Sequence, residues 1–405
     1  MINQALNQKN ITVLHSNDNW LPLTENWLYN QIRHLPEEIE NHIICKTTSN
    51  LEQFDLPNIH CLSELLPRFN NLDKKIIKLK GWSYLYQLFF SQFLVKIAAK
   101  QNADILHSHF GNTAWLNIRA AKQGNLKHIA TFYGYDVNFM PKQYPKWLQR
   151  YQTLFKHIDC ILCEGSHMAQ CIADLGCPEH KIKVHHLGIA IEKIPFKPRS
   201  WNPSEPLHVL IAASFREKKG IPYAIEALGQ LQHELPLEVT IIGDATPDHR
   251  SQAEKQTILT VIEKYNLQSK VRMLGYQPHA VLLEEAYKHH VFISPSVTSN
   301  DGDTEGGAPV AIIEMIATGM PVVSTKHCDI PEVTKNSVRS LLALERDVDG
   351  LVSHLKWLIN HPDQWSKMLE AGRGYVEQEY DARQQGVRLA NIYQSISSYS
   401  GLQFS

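Results

Sequence analysis

No stretch of this chain is long and apolar enough to cross a bilayer as a helix, which excludes an integral helical protein. Net charge is also scarce. Forty Lys and Arg stand against 41 Asp and Glu, leaving −1 at neutral pH, so no general field for nucleic acid exists. The opening Met1–Asn10 lacks the apolar core of a secretion signal, and a cytoplasmic protein is expected. Seven cysteines, odd in number and scattered from Cys45 to Cys328, fit reduced thiols better than a disulfide framework. Cys160 and Cys163 alone resemble half a metal site. They lie in a strand-like run, where residues three apart face opposite ways, and no second pair has matching spacing. His185-His186 and His289-His290 are adjacent pairs, not ligand-spaced ones, and read as surface or strand-end residues. No close internal repeat is visible.

What the chain does have is alternation. Short apolar runs suited to buried strands occur at Ile11–His15, His42–Cys45, Asp104–His107, His128–Phe132 and Cys160–Cys163. Stretches with helical apolar spacing separate them, which implies parallel sheets with crossover helices. Four prolines between Ile194 and Pro206 forbid both helix and central strand and mark a linker. A second series follows at His208–Ile211, Glu238–Ile242, Val271–Leu274, Val291–Ile293 and Pro321–Ser324. The expected fold is α/β: two doubly wound domains, residues 1–194 and 195–376, facing across a cleft that holds ligand. A last helix, about 377–405, is expected to pack back on the first domain.

The most informative segment runs from Asp301 to Thr325. An acidic, glycine-rich loop opens an apolar helix that feeds a strand. Gly306 and Gly307 allow close backbone approach, and Pro309 suits a first helical turn. The free N–H groups and dipole of a helix start suit phosphate. Glu314 falls inside an apolar run, where a carboxylate is costly unless hydrogen-bonded. Two acids beside a phosphate-ready helix start suggest a ligand with both phosphate and hydroxyls, such as a nucleotide sugar.

This segment resembles the acidic motif of the family 4 retaining glycosyltransferases, which have the GT-B fold. Glu305, Gly306, Pro309, Glu314, Ala317, Gly319, Pro321 and Val322 match it. The two glutamates are nine positions apart, one more than the usual spacing, with the extra residue in Gly306–Pro309. The resemblance covers most of the chain and is of the colanic-acid and exopolysaccharide type. Ser214–Gly220 is similar to the family's diphosphate loop, with Lys219 at the phosphate-binding lysine. Ser214 stands where an arginine is usual, and Arg216 is the candidate replacement. Lys218 reads as solvated charge. Gly243 lies in a strand-end loop near the donor, and Tyr276 in a segment whose backbone holds the base.

On the other side, Asp104–Gly111 resembles a His-x-His-Phe-Gly loop and Ala130–Asp136 a Thr-x-His-Gly-x-Asp loop. Tyr133 replaces the histidine of the latter. The stretch Asn19–Trp27 is similar to an acceptor loop, in which Thr24 is equally a helix cap. The resemblance implies catalytic roles for His109, Lys219 and Glu305. Donor binding would fall to Arg216, Lys219, Gly243, Tyr276, Glu305, Gly306, Gly307, Ala308, Pro309 and Glu314. Acceptor-side residues would be Thr24, Glu25, His109, Tyr133 and Asp136, with His109 projecting into the cleft as the titratable group. No metal and no cofactor beyond a UDP- or GDP-sugar is implied.

The acceptor would be a glycan or a lipid-linked hydroxyl, with peripheral contact at the inner face of the membrane. Lys74–Lys80 ahead of an aromatic stretch could dock an anionic surface, or could be a solvated turn before a core helix. Rival readings are a sugar-phosphate synthase, a phosphorylase, and a non-catalytic nucleotide-sugar-binding protein.

Overall fold

The expected strand runs are rich in β-branched residues, and each becomes part of a parallel strand in the computed structural model. The structure describes residues 10–21, 26–52, 54, 56–65, 82–334 and 341–398. The chain divides into two units. The first comprises Met1–Glu164, Ala169–Gly188 and Ala382–Ser405, the second Gly165–Met168 and Ile189–Asp381.

In the first unit, β1 (Ile11–Trp20), β2 (Ile39–Thr48), β3 (Ile59–Cys61), β4 (Ile105–His109), β5 (Lys127–Thr131), β6 (Cys160–Cys163) and β7 (Ile182–Val184) form one sheet. Their order is β3-β2-β1-β4-β5-β6-β7, and neighbouring strands are parallel. The order reverses between β1 and β4, which is where doubly wound sheets open a crevice. In the second unit, β8 (Leu207–Ala212), β9 (Leu237–Ile242), β10 (Val271–Gly275), β11 (Val291–Ser294), β12 (Val322–Thr325) and β13 (Leu342–Ala343) are ordered β10-β9-β8-β11-β12-β13. The reversal here lies between β8 and β11. The loops after these two strands carry Lys219 and Glu305.

Both faces of the second sheet are buried, so its strands read as continuous apolar runs rather than as alternating ones. Val209, Ile211, Val239, Ile241, Val291 and Ile293 enter one layer. Leu210, Ile242, Phe292, Val322 and Leu342 enter the other. Each such side chain contributes about 1.5–3 kcal/mol on burial. In the first unit, helix Ala382–Ser398 adds Leu389, Ala390, Tyr393 and Ile396 to the layer of Val13, Ile105, Ile129 and Leu162.

Three expectations need correction. The break falls at Gly188/Ile189, and the returning segment begins at Ala382. The proline run is not a linker but a packed part of the second unit. Arg199 is buried there and donates to the carbonyls of His289, Thr318 and Ala286, which ties the run to the segments beside it. Strand β1 does not end at His15 but runs on to Trp20, because β2 pairs with it along that whole length. All seven cysteines are free thiols. No helix among the described residues is long and apolar enough to cross a membrane.

Candidate active site

In the second unit, β8 leads into a turn at Glu217–Lys219, then Gly220, then helix Ile221–Leu231. Gly220 has φ 63°, and a Cβ there would lie 1.9 Å from the Pro295 carbonyl oxygen. Only glycine lets this loop lie against the one that follows β11. Gly243 makes the same close approach at the end of β9, with φ 126° and a virtual Cβ 1.9 Å from the Ala213 carbonyl oxygen.

The two loops meet through charge. Lys219 Nζ lies 2.7 Å from Glu305 Oε2, and Ser296 Oγ donates to Glu305 Oε1 at 2.9 Å. The Glu305 side chain is only 6% exposed. Burial would raise its pKa, but Lys219 and Lys218 together outweigh that and hold the carboxyl below its ordinary value. The Glu305 N–H donates to His327 Nε2 at 3.2 Å, and His327 Nδ1 lies 2.6 Å from Glu345. This fixes the His327 tautomer: Nδ1 carries the proton and Nε2 accepts. Sequence reasoning missed His327 and Glu345, which lie outside the motif and act on its backbone.

Lys218 is not the solvated charge expected. Its Nζ donates to the Thr304 carbonyl at 2.8 Å and to Asp303 at 3.2 Å, and Asp303 is itself buried. Arg216 pairs with Asp248 at 2.7 Å and donates to Thr246 at 3.1 Å. Each cation of this loop is therefore held by a neighbouring acid. A cavity of about 640 Å³ beside it is lined by Arg216, Tyr223, Arg250 and Asp301 among others.

Glu314 lies on helix Val310–Thr318, and Pro309 is the residue that precedes the helix rather than its first turn. Its Oε1 lies 2.8 Å from His279 Nε2. This contact supplies the hydrogen bond a buried carboxylate requires, and it raises the His279 pKa. Gly306, with φ 82°, and Gly307 are buried, and Ala308 is half-buried in the same loop. Tyr276, at 52% exposure, follows β10.

In the first unit, His109 does not project as expected. It is fully buried at the end of β4, and both ring nitrogens are engaged. Nδ1 meets Tyr133 Oη at 2.8 Å and Nε2 meets His15 Nδ1 at 3.2 Å. Burial first, and then the neighbouring His15, hold its pKa well below the ordinary value. The Tyr133 ring packs in a cluster with Trp27, at 4.3 Å between centroids, and Phe110, at 4.8 Å, which also meet each other at 6.5 Å. Asp136 is fully buried and accepts from the N–H of Gly111 at 2.7 Å and of Tyr133 at 3.0 Å. It pins the two loops together, and burial pushes its pKa up to about 6. Thr24, Glu25 and Lys74–Lys80 lie outside the described residues.

His15, His107 and His109 bring ligand-capable nitrogens within 4.8 Å of one another, a cluster that sequence spacing did not reveal because His15 comes from another strand. All six ring nitrogens have hydrogen-bond partners in the protein, His107 through Tyr393 and Thr131 at 2.7 Å each.

Comparisons with known proteins bear on the family and the fold. The family model "Glycosyltransferase Family 4" matches residues 24–193, and "Glycosyl transferases group 1" matches residues 193–375. The chain is 32% identical over 317 residues to the "Putative colanic acid biosynthesis glycosyltransferase WcaL" of Escherichia coli strain K12, covering 76% of this chain and 75% of that one. It is 32% identical over 300 residues to the amylovoran biosynthesis glycosyltransferase AmsK of Erwinia amylovora, covering 73% and 71%. Among solved structures, a glycosyltransferase from Rickettsia africae superposes with a TM-score of 0.75 at 18% identity, covering 96% of this chain and all of that one. Anabaena HepE in complex with UDP and glucose gives 0.73 at 14% identity, covering 95% and 100%. These last two bear on the fold alone, which is the two-domain GT-B fold. With both halves matched in order and two curated relatives covered over most of their length, the chain belongs to the family 4 glycosyltransferases.

Proposed function

We propose that this protein is a retaining hexosyltransferase. It would move a sugar from UDP- or GDP-sugar to a hydroxyl of a glycan or lipid-linked acceptor, in the synthesis of a surface polysaccharide. The observation that carries this reading is the meeting of the two glycine-bearing loops at Lys219 and Glu305, 2.7 Å apart. A diphosphate leaving group gathers negative charge as the glycosidic bond breaks, and a preorganised cation beside helix-start N–H groups is suited to meet it. Lys219, Arg216 and the start of helix Val310–Thr318 would hold the diphosphate. Glu314, already oriented by His279, would accept from the ribose hydroxyls. Glu305 and the Gly306-Gly307 backbone would hold the sugar, Gly243 would leave room for it, and Tyr276 would lie by the base. Retention would follow from attack on the face that the phosphate leaves, with a phosphate oxygen taking the acceptor proton. No metal is required by this scheme.

The acceptor would meet the first unit. The exposed Tyr84, Leu85 and Phe89 of helix Trp82–Gln101, at 66%, 44% and 55% exposure, are consistent with a peripheral contact at the inner membrane face. The similarity to WcaL and AmsK supports the polysaccharide assignment. The test is turnover of a panel of UDP- and GDP-sugars, with slow hydrolysis naming the donor. A protein that binds nucleotide sugars but neither hydrolyses nor transfers any would be a binding protein instead.

A further inference from the structure

Cys45 and Cys61 stand directly opposite each other on the parallel strands β2 and β3. In-register partners on neighbouring strands turn their side chains to the same face, and both residues enter one buried layer with Trp20, Leu21, Leu28 and Ile32. Neighbouring strands lie about 4.8 Å apart, within the roughly 4.4–6.8 Å between Cα atoms that a disulfide spans. The two thiols are not equivalent. Cys45 is wholly buried, whereas Cys61 keeps 3% exposure on β3, the edge strand of the sheet. The Cys61 sulfur is 3.1 Å from the Ser63 hydroxyl, and the N–H groups of Ser63 and Glu64 also point to it. The Cys45 thiol beside it is the largest influence. Together with these donors it outweighs burial and brings the Cys61 pKa down to about 6. As a thiol, Cys61 would instead donate to the Lys46 carbonyl at 3.4 Å, a single weak contact. Facing the Cys61 sulfur, and then through burial, Cys45 is pushed up and stays protonated.

We propose that Cys45 and Cys61 form a redox-active dithiol, a modification site that takes hydrogen peroxide as oxidant and yields the Cys45–Cys61 disulfide. The Cys61 thiolate attacks one peroxide oxygen. The O–O bond breaks, the other oxygen leaves with a proton as water, and Cys61 becomes a sulfenic acid. The Cys45 sulfur then attacks the Cys61 sulfur. The S–O bond breaks, and the departing hydroxide takes the Cys45 proton as a second water. The two thiols lose two electrons and two protons in all, and one peroxide is reduced to two waters. The order of attack follows from the asymmetry of the pair. Cys61 carries the thiolate and the opening to the surface, and Cys45 is the resolving thiol held against it. Exposure alone would favour Cys171 and Cys328, the two thiols that are not buried. The sequence in which the cysteines oxidise therefore separates a built site from unselective oxidation. None of this depends on the glycosyl-transfer reading.

The experiment uses the full chain, reduced and then freed of reductant. It is exposed to a stoichiometric dose of hydrogen peroxide at neutral pH, the remaining thiols are alkylated, and the peptides are mapped by mass spectrometry. The Cys45 and Cys61 peptides should be joined with loss of two hydrogens, while Cys171 and Cys328 remain open to alkylation. Dithiothreitol should reverse the link. Cys45→Ser should stop at a Cys61 sulfenic acid that dimedone captures, and Cys61→Ser should leave Cys45 a thiol at the same dose. A thermal melt checks that both serine variants remain folded, and the wild-type mapping stands without them. The alkylation rate of Cys61 in the native chain should rise with pH through a midpoint near that of its thiolate, well below the value of about 8.5 for a free cysteine. Oxidation of Cys171 or Cys328 ahead of the Cys45–Cys61 link would overturn the proposal. So would a link that forms only in the unfolded chain, or a dimedone adduct on Cys45 in place of Cys61.

Discussion

Replacing Glu305 by Gln separates its two proposed roles. In the structure its carboxylate sits 2.7 Å from Lys219 Nζ and is almost fully buried. A phosphate oxygen that bonds to Lys219 lies about 3 Å from Nζ, which leaves it roughly 5–6 Å from the carboxylate. At an effective dielectric of about 20, two unit charges at that distance repel by about 3 kcal/mol. Removing the negative charge relieves that repulsion, partly offset because Lys219 is then less well oriented. We therefore expect Glu305→Gln to bind UDP or GDP about tenfold more tightly, as measured by calorimetry. Transfer should fall, because hydrogen bonds from sugar hydroxyls to a charged acceptor, worth about 1.5–3 kcal/mol, are weakened. A thermal melt checks that the variant remains folded. Weaker nucleotide binding, or unaltered transfer, would refute the reasoning.

Glu314→Gln should weaken nucleoside diphosphate binding by about 1.5–3 kcal/mol and lower the NMR titration midpoint of His279, whose pKa the carboxylate raises. Unchanged binding in that variant would remove the ribose assignment. Acidification should destabilise the first unit. His15, His107, His109, His128 and His185 all have folded pKa values depressed by burial, so the unfolded chain binds more protons below its own value near 6.5. Their contribution is present above that pH and is lost as pH falls from about 6.5 towards 4. By pH 5 the loss is about 2 kcal/mol each for His15, His128 and His185, and the urea midpoint should drop between pH 7 and 5, less steeply in His128→Leu. Turnover should survive EDTA, and a loss that magnesium or manganese restores would make Asp301 and Asp303 metal ligands.

Much of this architecture was legible in the sequence because parallel strands buried on both faces must be apolar throughout. Val209–Ile211 and Val291–Ile293 have no other reading in a chain of this alternation. Strands β3, β7 and β13 were not legible. Each is two or three residues at or near a sheet edge, too short to carry a pattern. The Lys219 and Glu305 loops could be found because close approach demands glycine at fixed places. What could not be found is how the charges pair once folded. Lys218 looks solvated in sequence but is drawn in by Asp303 and Thr304, 85 and 86 residues away. The exposure of His109 was misjudged for the same reason. A histidine at a strand end points into a crevice unless another strand fills it, and His15, one strand over, does so with Asn41 behind it.

The central claim is that the loop carrying Lys219 holds the diphosphate of a nucleotide sugar whose sugar is transferred with retention. The most direct measurement is proton NMR of the product formed from the donor identified in the panel, run in parallel with wild type and Lys219→Ala. The first-formed product should keep the anomeric configuration of the donor, and Lys219→Ala should abolish its formation while remaining folded. An inverted product, or turnover by Lys219→Ala at the wild-type rate, would contradict it.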